Sequence, residues 1–164
     1  MMRRSRSVSV GLVLAVVAVS PLAVQAATYT HFTSPIFHFS MDYPSAWHIK
    51  ADRAKGLEEF RVNQNEGLVV YYGLLASAST LRHLTGLTAA TLRKGGYTTG
   101  KITYAGGRST FGGTGSAGSV HGKYRAVVVV RGRVFYLILA TASNAYWAQV
   151  LPTFRYMIAS FSPT

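Results

Sequence analysis

Apolar and polar residues alternate along residues 37–50, which read FHFSMDYPSAWHIK. Every second residue from Phe37 to Met41 is apolar, which predicts a strand with one buried face and one face in water. Pro44 has no backbone N–H and holds the residue before it extended, so it ends this strand and begins a turn. Trp47 and Ile49 then resume the alternation. The pattern predicts a strand, a turn and a second strand that pairs with the first.

Two further strands near the carboxyl end are apolar at consecutive positions. They span Tyr124–Val130 and Val134–Ala140, and Gly132 between them can supply the positive φ of a tight hairpin. Apolar side chains on both faces predict that both strands are central, with something packed over each face of the sheet. Shorter strands are predicted over residues 59–64 and 68–75, around 102–104 and over 108–111, after a polar lead-in at 27–35.

Two helices are predicted from their spacing and caps. Ser79 or Thr80 can cap the first, which ends before Gly95. The second follows the i, i+3, i+4, i+7 pattern from Ser143 to Phe161. Pro152 interrupts it, so we expect a kink or two consecutive short helices. The cover over the central strands can only come from these two predicted helices. The fold class is therefore predicted to be α+β, a single domain with an antiparallel β-sheet sandwiched between helices.

Glycine dominates the stretch from Ala105 to Ser119 and predicts a hairpin with a mobile loop. Gly113, Gly115 and Gly118 match the GxGxxG motif by letter. The dinucleotide fingerprint needs a helix after the glycines, whose N-terminus meets the pyrophosphate, but the residues that follow predict another strand. We therefore expect no cofactor.

Residues 1–26 have the layout of a secretory signal peptide. An arginine-rich start is followed by an apolar run from Val8 to Val19 and by small residues up to Ala26. Cleavage after Ala26 would leave residues 27–164 as one domain, secreted or periplasmic. The alternative is a leader retained as an anchor, because the apolar stretch approaches the roughly 20 residues that span a bilayer.

Composition narrows the possible functions. The chain has no cysteine, which excludes disulfides, thiolate zinc sites, cysteine nucleophiles and lipid attachment through a cysteine. Its 17 Lys and Arg against five Asp and Glu favour anionic partners, such as an anionic cell-envelope surface. The basic residues are scattered singly or in pairs, as on a solvated surface. No nucleic acid partner is expected, because an exported protein rarely meets one.

The candidate chemistry is sparse. His38, His48 and Asp42 are weak metal candidates, since they lie on the polar faces of two strands expected to pair. A metal needs three ligands within about 2 to 2.2 Å of one ion, and this spacing does not guarantee that. Glu58 and Glu59 are adjacent, so in a strand their carboxylates point to opposite faces. We therefore assign no catalytic residue and expect the protein not to be an enzyme.

Three stretches carry a family resemblance: FHFSMDYPSAWHI, KYRAVVVVRGRVFYLILATA and AYWAQVLPTFRYMIASF. In this order they resemble the PsbP-like family, named after the extrinsic subunit of photosystem II. Its fold is shared with a Ran-binding nuclear import factor. The resemblance covers almost all of Phe32–Phe161 and implies an α/β/α sandwich. Bacterial members of the family resemble small secreted or lipid-anchored domains without known catalysis, and this chain lacks the cysteine that a lipid-anchored form would need.

From charge, location and this resemblance we expect a secreted or periplasmic, monomeric, non-catalytic domain. It would act as a protein-binding or assembly module, with an unknown protein partner held at one sheet edge or at the glycine-rich loop. The alternative is a cationic domain that adheres to anionic envelope polymers or lipid head groups.

Overall fold

The computed structural model describes residues 27–63, 66–75, 79–117 and 120–164, which form a mixed α+β structure with antiparallel sheets. The predicted signal peptide at residues 1–26 lies outside the described residues, as does Gly118. The strands are β1 (Tyr29–Thr33), β2 (Phe39–Pro44), β3 (His48–Asp52), β4 (Leu57–Arg61), β5 (Gly67–Leu74), β6 (Thr103–Ala105), β7 (Arg108–Ala117), β8 (Val120–Arg131), β9 (Val134–Ser143) and β10 (Ser162–Pro163). The helices are α1 (Leu81–Lys94) and α2 (Trp147–Ser160). No helix in this part of the chain is long and apolar enough to cross a membrane.

The strands form two antiparallel sheets. The larger has seven strands in the order β3-β4-β5-β9-β8-β7-β6, and the smaller has three in the order β1-β2-β10. The predicted hairpin is confirmed: β8 pairs with β9 from Gly122 to Arg131, and Gly132 in the turn has a φ of 58°. The central position predicted for these two strands is also confirmed.

Alternate residues of β8 pack into two separate hydrophobic clusters. Val127 belongs to the larger cluster, which contains Phe154 of α2 and apolar residues of the small sheet. Val128 belongs to the smaller cluster, which contains Ala89 of α1. Consecutive apolar residues in β8 are therefore explained by burial on both sides of the strand.

The small sheet corrects the predicted pairing near the start of the domain. The apolar side of the first strand is buried as predicted, with Phe39 and Met41 fully enclosed. However, β2 pairs with β1 and β10, whereas β3 pairs with β4 in the large sheet. The expected hairpin is wrong because the predicted polar lead-in, which contains Phe32, forms β1 and takes the place beside β2. The turn after Pro44 instead carries the chain from one sheet to the other.

The short strand predicted over residues 108–111 is confirmed but continues to Ala117 as β7, paired with β8, so the predicted glycine-rich loop is wrong for residues 112–117. The reason is close approach of the backbone rather than flexibility. A Cβ at Gly113 would overlap the carbonyl oxygen of Thr98, and a Cβ at Gly115 would overlap the ring of Tyr97. Glycine at these positions lets the segment before β6 lie directly against β7.

Both predicted helices form. The side chain of Thr80 caps α1 by accepting from the backbone N–H of His83 at 3.2 Å, and Gly95 follows the last residue. The second helix is a single element with Pro152 inside it, so the alternative of two short helices is wrong.

Arg108 holds the C-terminal end of α2 against the large sheet. Its guanidinium donates to the carbonyl oxygen of Ile158 at 3.1 Å and to that of Phe161 at 2.7 Å. These carbonyls lie at the negative end of the helix dipole, where a cation is stabilising. This arginine is therefore part of the packed structure, not of a solvated charged surface.

Replacing Arg108 with methionine is expected to lower the free energy of unfolding by about 2 kcal/mol, because two charge-assisted hydrogen bonds are lost. Arg131→Met, at an exposed position of β8, should change it by less than about 0.5 kcal/mol. Urea denaturation of both variants checks this. Equal effects would mean that Arg108 does not hold the helix.

Two glycine substitutions should have opposite signs. Gly113→Ala is expected to cost about 2 kcal/mol or more, because the backbone oxygen of Thr98 would have to move. Gly86→Ala meets nothing within 4 Å and lies inside α1, so it should stabilise the fold by about 0.8 kcal/mol. Thermal denaturation of both variants tests the explanation, which fails if Gly113→Ala is tolerated.

Candidate functional site

The three predicted metal candidates lie in different elements. His48 is at the start of β3, exposed and opposite Arg61, whereas Asp42 is in β2 of the other sheet. His38 lies just before β2. In the described part of the chain, no group of three or more His, Asp or Glu side chains could hold a metal ion.

His38 has a structural role through its backbone. Its φ of 52° is unusual for a residue with a side chain. Its carbonyl oxygen accepts from the hydroxyl of Tyr136 at 2.8 Å and from the backbone N–H of Thr164 at 2.9 Å. The turn at His38 is thus fixed by the large sheet and by the C-terminal end of the chain.

The partner of Asp42 is His31, a residue that spacing alone did not group with it. The two are opposite each other in β1 and β2, with 2.7 Å between His31 Nδ1 and Asp42 Oδ1. Asp42 also donates its backbone N–H to Ser160 Oγ at 2.9 Å, and Tyr156 approaches its other carboxylate oxygen at 3.5 Å. This exposed pair ties the small sheet to α2, and β1, which could have revealed it, was not predicted.

A serine and a histidine meet near the end of the hairpin formed by β7 and β8. Ser116 Oγ lies 2.7 Å from Nδ1 of His121, and both side chains are exposed. The pair borders an open cavity of about 340 Å³ that Thr98 and Asn144 also line. An activated serine needs its histidine oriented by a third group, usually a carboxylate. Each acid in the chain is engaged elsewhere, so this pair is not a catalytic triad.

All five acidic residues of the sequence lie in the described ranges, and each has a local partner. The pairs are Asp42 with His31, Asp52 with Lys55, Glu58 with Ser34, Glu59 with Arg61 and Glu66 with Asn63. Hydrogen bonds from Lys55 and Arg61 hold the pKa values of Asp52 and Glu59 below their ordinary values. The acids therefore neutralise few of the basic side chains, and the folded surface keeps most of its positive charge.

The outer strand β3 is a basic sheet edge. His48 and Lys50 are exposed on it, and Arg53 is exposed in the turn that follows. An open cavity of about 410 Å³ lies beside this edge, bordered by Lys50 and by Val62, whose side chain is 43% exposed. A charged, short edge strand resists pairing with copies of itself, and its unpaired backbone groups can accept an extended segment.

Glu58, a residue of β4, is a buried acid. Its residue is 3% exposed, and its Oε2 atom is buried without a hydrogen-bond partner among the described residues. Burial raises the pKa of this carboxyl, and a hydrogen bond with Ser34 acts in the opposite direction. The buried carboxyl of Glu58 therefore lowers the stability of the fold, and it is not exposed to a ligand.

Three solved structures share the architecture. A cyanobacterial PsbP, CyanoP from Synechocystis sp. PCC 6803, superposes with a TM-score of 0.57 at 14% identity, over 88% of this chain and 98% of that one. LpqN, described as involved in cell envelope biogenesis of Mycobacterium tuberculosis, gives 0.56 at 14% identity, over 82% and 90%. A protein from Bacteroides thetaiotaomicron gives 0.55 at 17% identity, over 82% and 48%.

The chain has a PsbP-like fold, as the three sequence stretches predicted. No family model matches the sequence, and no curated protein matches it. At 14 to 17% identity these likenesses establish the fold alone.

Glu58→Gln should make the protein more stable at neutral pH. Because the folded-state pKa of Glu58 is raised, its contribution is complete below the ordinary value of 4.5 and is lost as pH rises through the folded pKa. The advantage of the variant should therefore appear above pH 4.5 and grow toward neutral pH. Urea denaturation across this pH range measures it.

Glu59→Gln is the control with the opposite sign. Arg61 lowers the pKa of Glu59, so its stabilisation is present above 4.5 and is lost as pH falls through the folded pKa. This variant should be less stable than the parent at neutral pH. If both variants follow the same pH dependence, the buried state of Glu58 is not the cause.

Proposed function

We propose that this PsbP-like domain is exported and works in the cell envelope as a non-catalytic protein-binding or assembly module. The leader at residues 1–26 supports export, and the likeness to LpqN, which is involved in cell envelope biogenesis, supports the location. The domain would be the region 27–164.

The observation that carries the proposal is the open, basic edge at β3. An extended segment of a partner would add to the large sheet there through backbone hydrogen bonds. Lys50 and Arg53 would favour acidic side chains in that segment, and the cavity beside Val62 would receive an apolar one. The glycine-rich stretch is a less suitable surface, because it pairs with β8 on one side and its Gly112 and Thr114 carbonyls accept from the backbone N–H groups of Gly100 and Thr98 on the other.

A rigid frame behind the edge is part of the proposal. We propose that α1 and α2 close the large sheet from opposite sides as an α/β/α sandwich. The separation of Val127 and Val128 into clusters with different helices supports this arrangement. A preorganised edge loses less conformational entropy when it binds.

A second candidate function is adhesion to anionic envelope polymers or lipid head groups. The local pairing of all five acids supports it, because the remaining basic side chains have few acids to meet within the chain. Such binding is spread over the surface and depends strongly on salt.

The test is capture of partners from the envelope fraction by the purified protein. We expect a defined protein partner that remains bound when salt rises from about 20 mM to about 150 mM, and whose binding falls at least about tenfold in the double variant Lys50→Glu, Arg53→Glu. The control is Arg93→Glu, Lys94→Glu, which changes the charge equally at the exposed end of α1.

The outcomes separate the two candidates. Equal losses in both double variants, together with release at the higher salt, would favour adhesion by overall charge and contradict the sheet-edge module. Loss in the β3 variant alone would support the module. Circular dichroism of each variant checks that the fold is retained.

A further inference from the structure

A third open cavity is bordered by residues of β6, β7 and β8 and by the first turns of α2. Its volume is about 330 Å³, near the lower end for small-molecule sites. Its lining includes two cations, the hydroxyl residues Thr103, Thr110 and Tyr124, and the apolar side chains of Phe111, Trp147 and Leu151; the cations are Lys101 and Arg125.

Arg125 is the group in this cleft that the fold leaves unsatisfied. Its side chain is half-buried, and its Nε atom is fully buried without a hydrogen-bond partner in the described part of the chain. The residues opposite it are Gly112 in β7 and Ala140 in β9, neither of which has a side-chain acceptor. A buried donor of a charged group that lacks a partner is costly.

The acids of this chain do not supply the missing acceptor, since each is engaged elsewhere. The helix does not supply it either. Trp147 is the first residue of α2 and Leu151 lies one turn later, and the N-terminal turn of a helix leaves N–H donors unpaired, not carbonyls. The cleft therefore collects donors and positive charge around Arg125.

These features match one ligand chemistry. A guanidinium binds carboxylate or phosphate through paired N–H donors, and Lys101 and the threonine hydroxyls can hold the remaining oxygens. The ring of Trp147 is held by Phe154, with centroids 6.0 Å apart, and offers an apolar wall. Two cations exclude a metal ion as the occupant.

We propose that this cleft binds a small anion, a phosphate or carboxylate group carried on an apolar or aromatic body, with Arg125 as the main contact and Lys101 as the second. The site is independent of the proposed partner surface at β3, and either can fail without the other.

The experiment titrates the purified protein with phenyl phosphate, benzoate and neutral benzyl alcohol, followed by calorimetry and tryptophan fluorescence. We expect binding of an anionic probe and none of benzyl alcohol. Arg125→Gln should weaken binding at least about tenfold and Lys101→Gln about threefold. Arg93→Gln, which removes an exposed charge at the end of α1, should leave it unchanged.

Stability distinguishes a binding role from a structural one. If Arg125 serves a ligand, Arg125→Gln should keep or raise the melting temperature of the free protein, because an unpartnered buried donor is removed. If Arg125→Gln weakens binding and also lowers the melting temperature, the arginine has a structural role and the proposal is contradicted. Lys101 is exposed, so Lys101→Gln reports on binding without affecting the fold.

Vesicles containing phosphatidylglycerol distinguish the source of the anion. Vesicle binding that depends on Arg125 more than on Arg93 assigns the cleft to a lipid head group, and binding of soluble probes alone assigns it to a free ligand. The double variant Lys50→Glu, Arg53→Glu should bind the soluble probes as the parent does. The proposal is wrong if neither probe nor vesicle binding responds to Arg125→Gln.

Discussion

The structure depends on the burial of β8 and β9 from both sides. These strands pair with each other from Gly122 to Arg131, and their alternate residues enter two different clusters. A segment that is apolar at every position, such as Ala126–Val130 of β8, cannot leave one side in water without a large loss of hydrophobic stabilisation. Each cluster also contains a residue from outside the sheet: Phe154 of α2 in the larger one and Ala89 of α1 in the smaller one.

This requirement explains what sequence could predict. Tyr124–Val130 shows its burial locally, because consecutive valines leave no polar face, and the two helices show theirs by spacing. The hairpin turn at Gly132 is equally local. The existence and type of these elements are predicted correctly, as is the PsbP-like fold, but β8 begins four residues earlier and α2 four residues later than predicted.

The errors occur where distant parts of the chain decide the structure. The strand at Phe39 has the same amphipathic pattern whichever neighbour it pairs with, so the pattern does not identify its partner. The sequence does not predict β1, because that strand is short and largely polar. The glycines of β7 read as a loop, because the Tyr97–Thr98 segment that requires them lies elsewhere in the sequence. The pairing of His31 with Asp42 was missed for the same reason, since it follows from the register of β1 and β2.

Two arginines show why composition alone could not find the candidate anion site. Arg108 and Arg125 lie on neighbouring strands, opposite Val129 and Gly112, and both are close to α2. Arg108 meets the C-terminal end of the helix, where carbonyl oxygens lack partners and accept its hydrogen bonds. Arg125 lines a cavity with Trp147 and Leu151 of the N-terminal turns, where the unpaired groups of a helix are donors. The direction of α2 thus provides carbonyl acceptors for Arg108 and none for Arg125. This difference is why we propose an anion as the partner of Arg125.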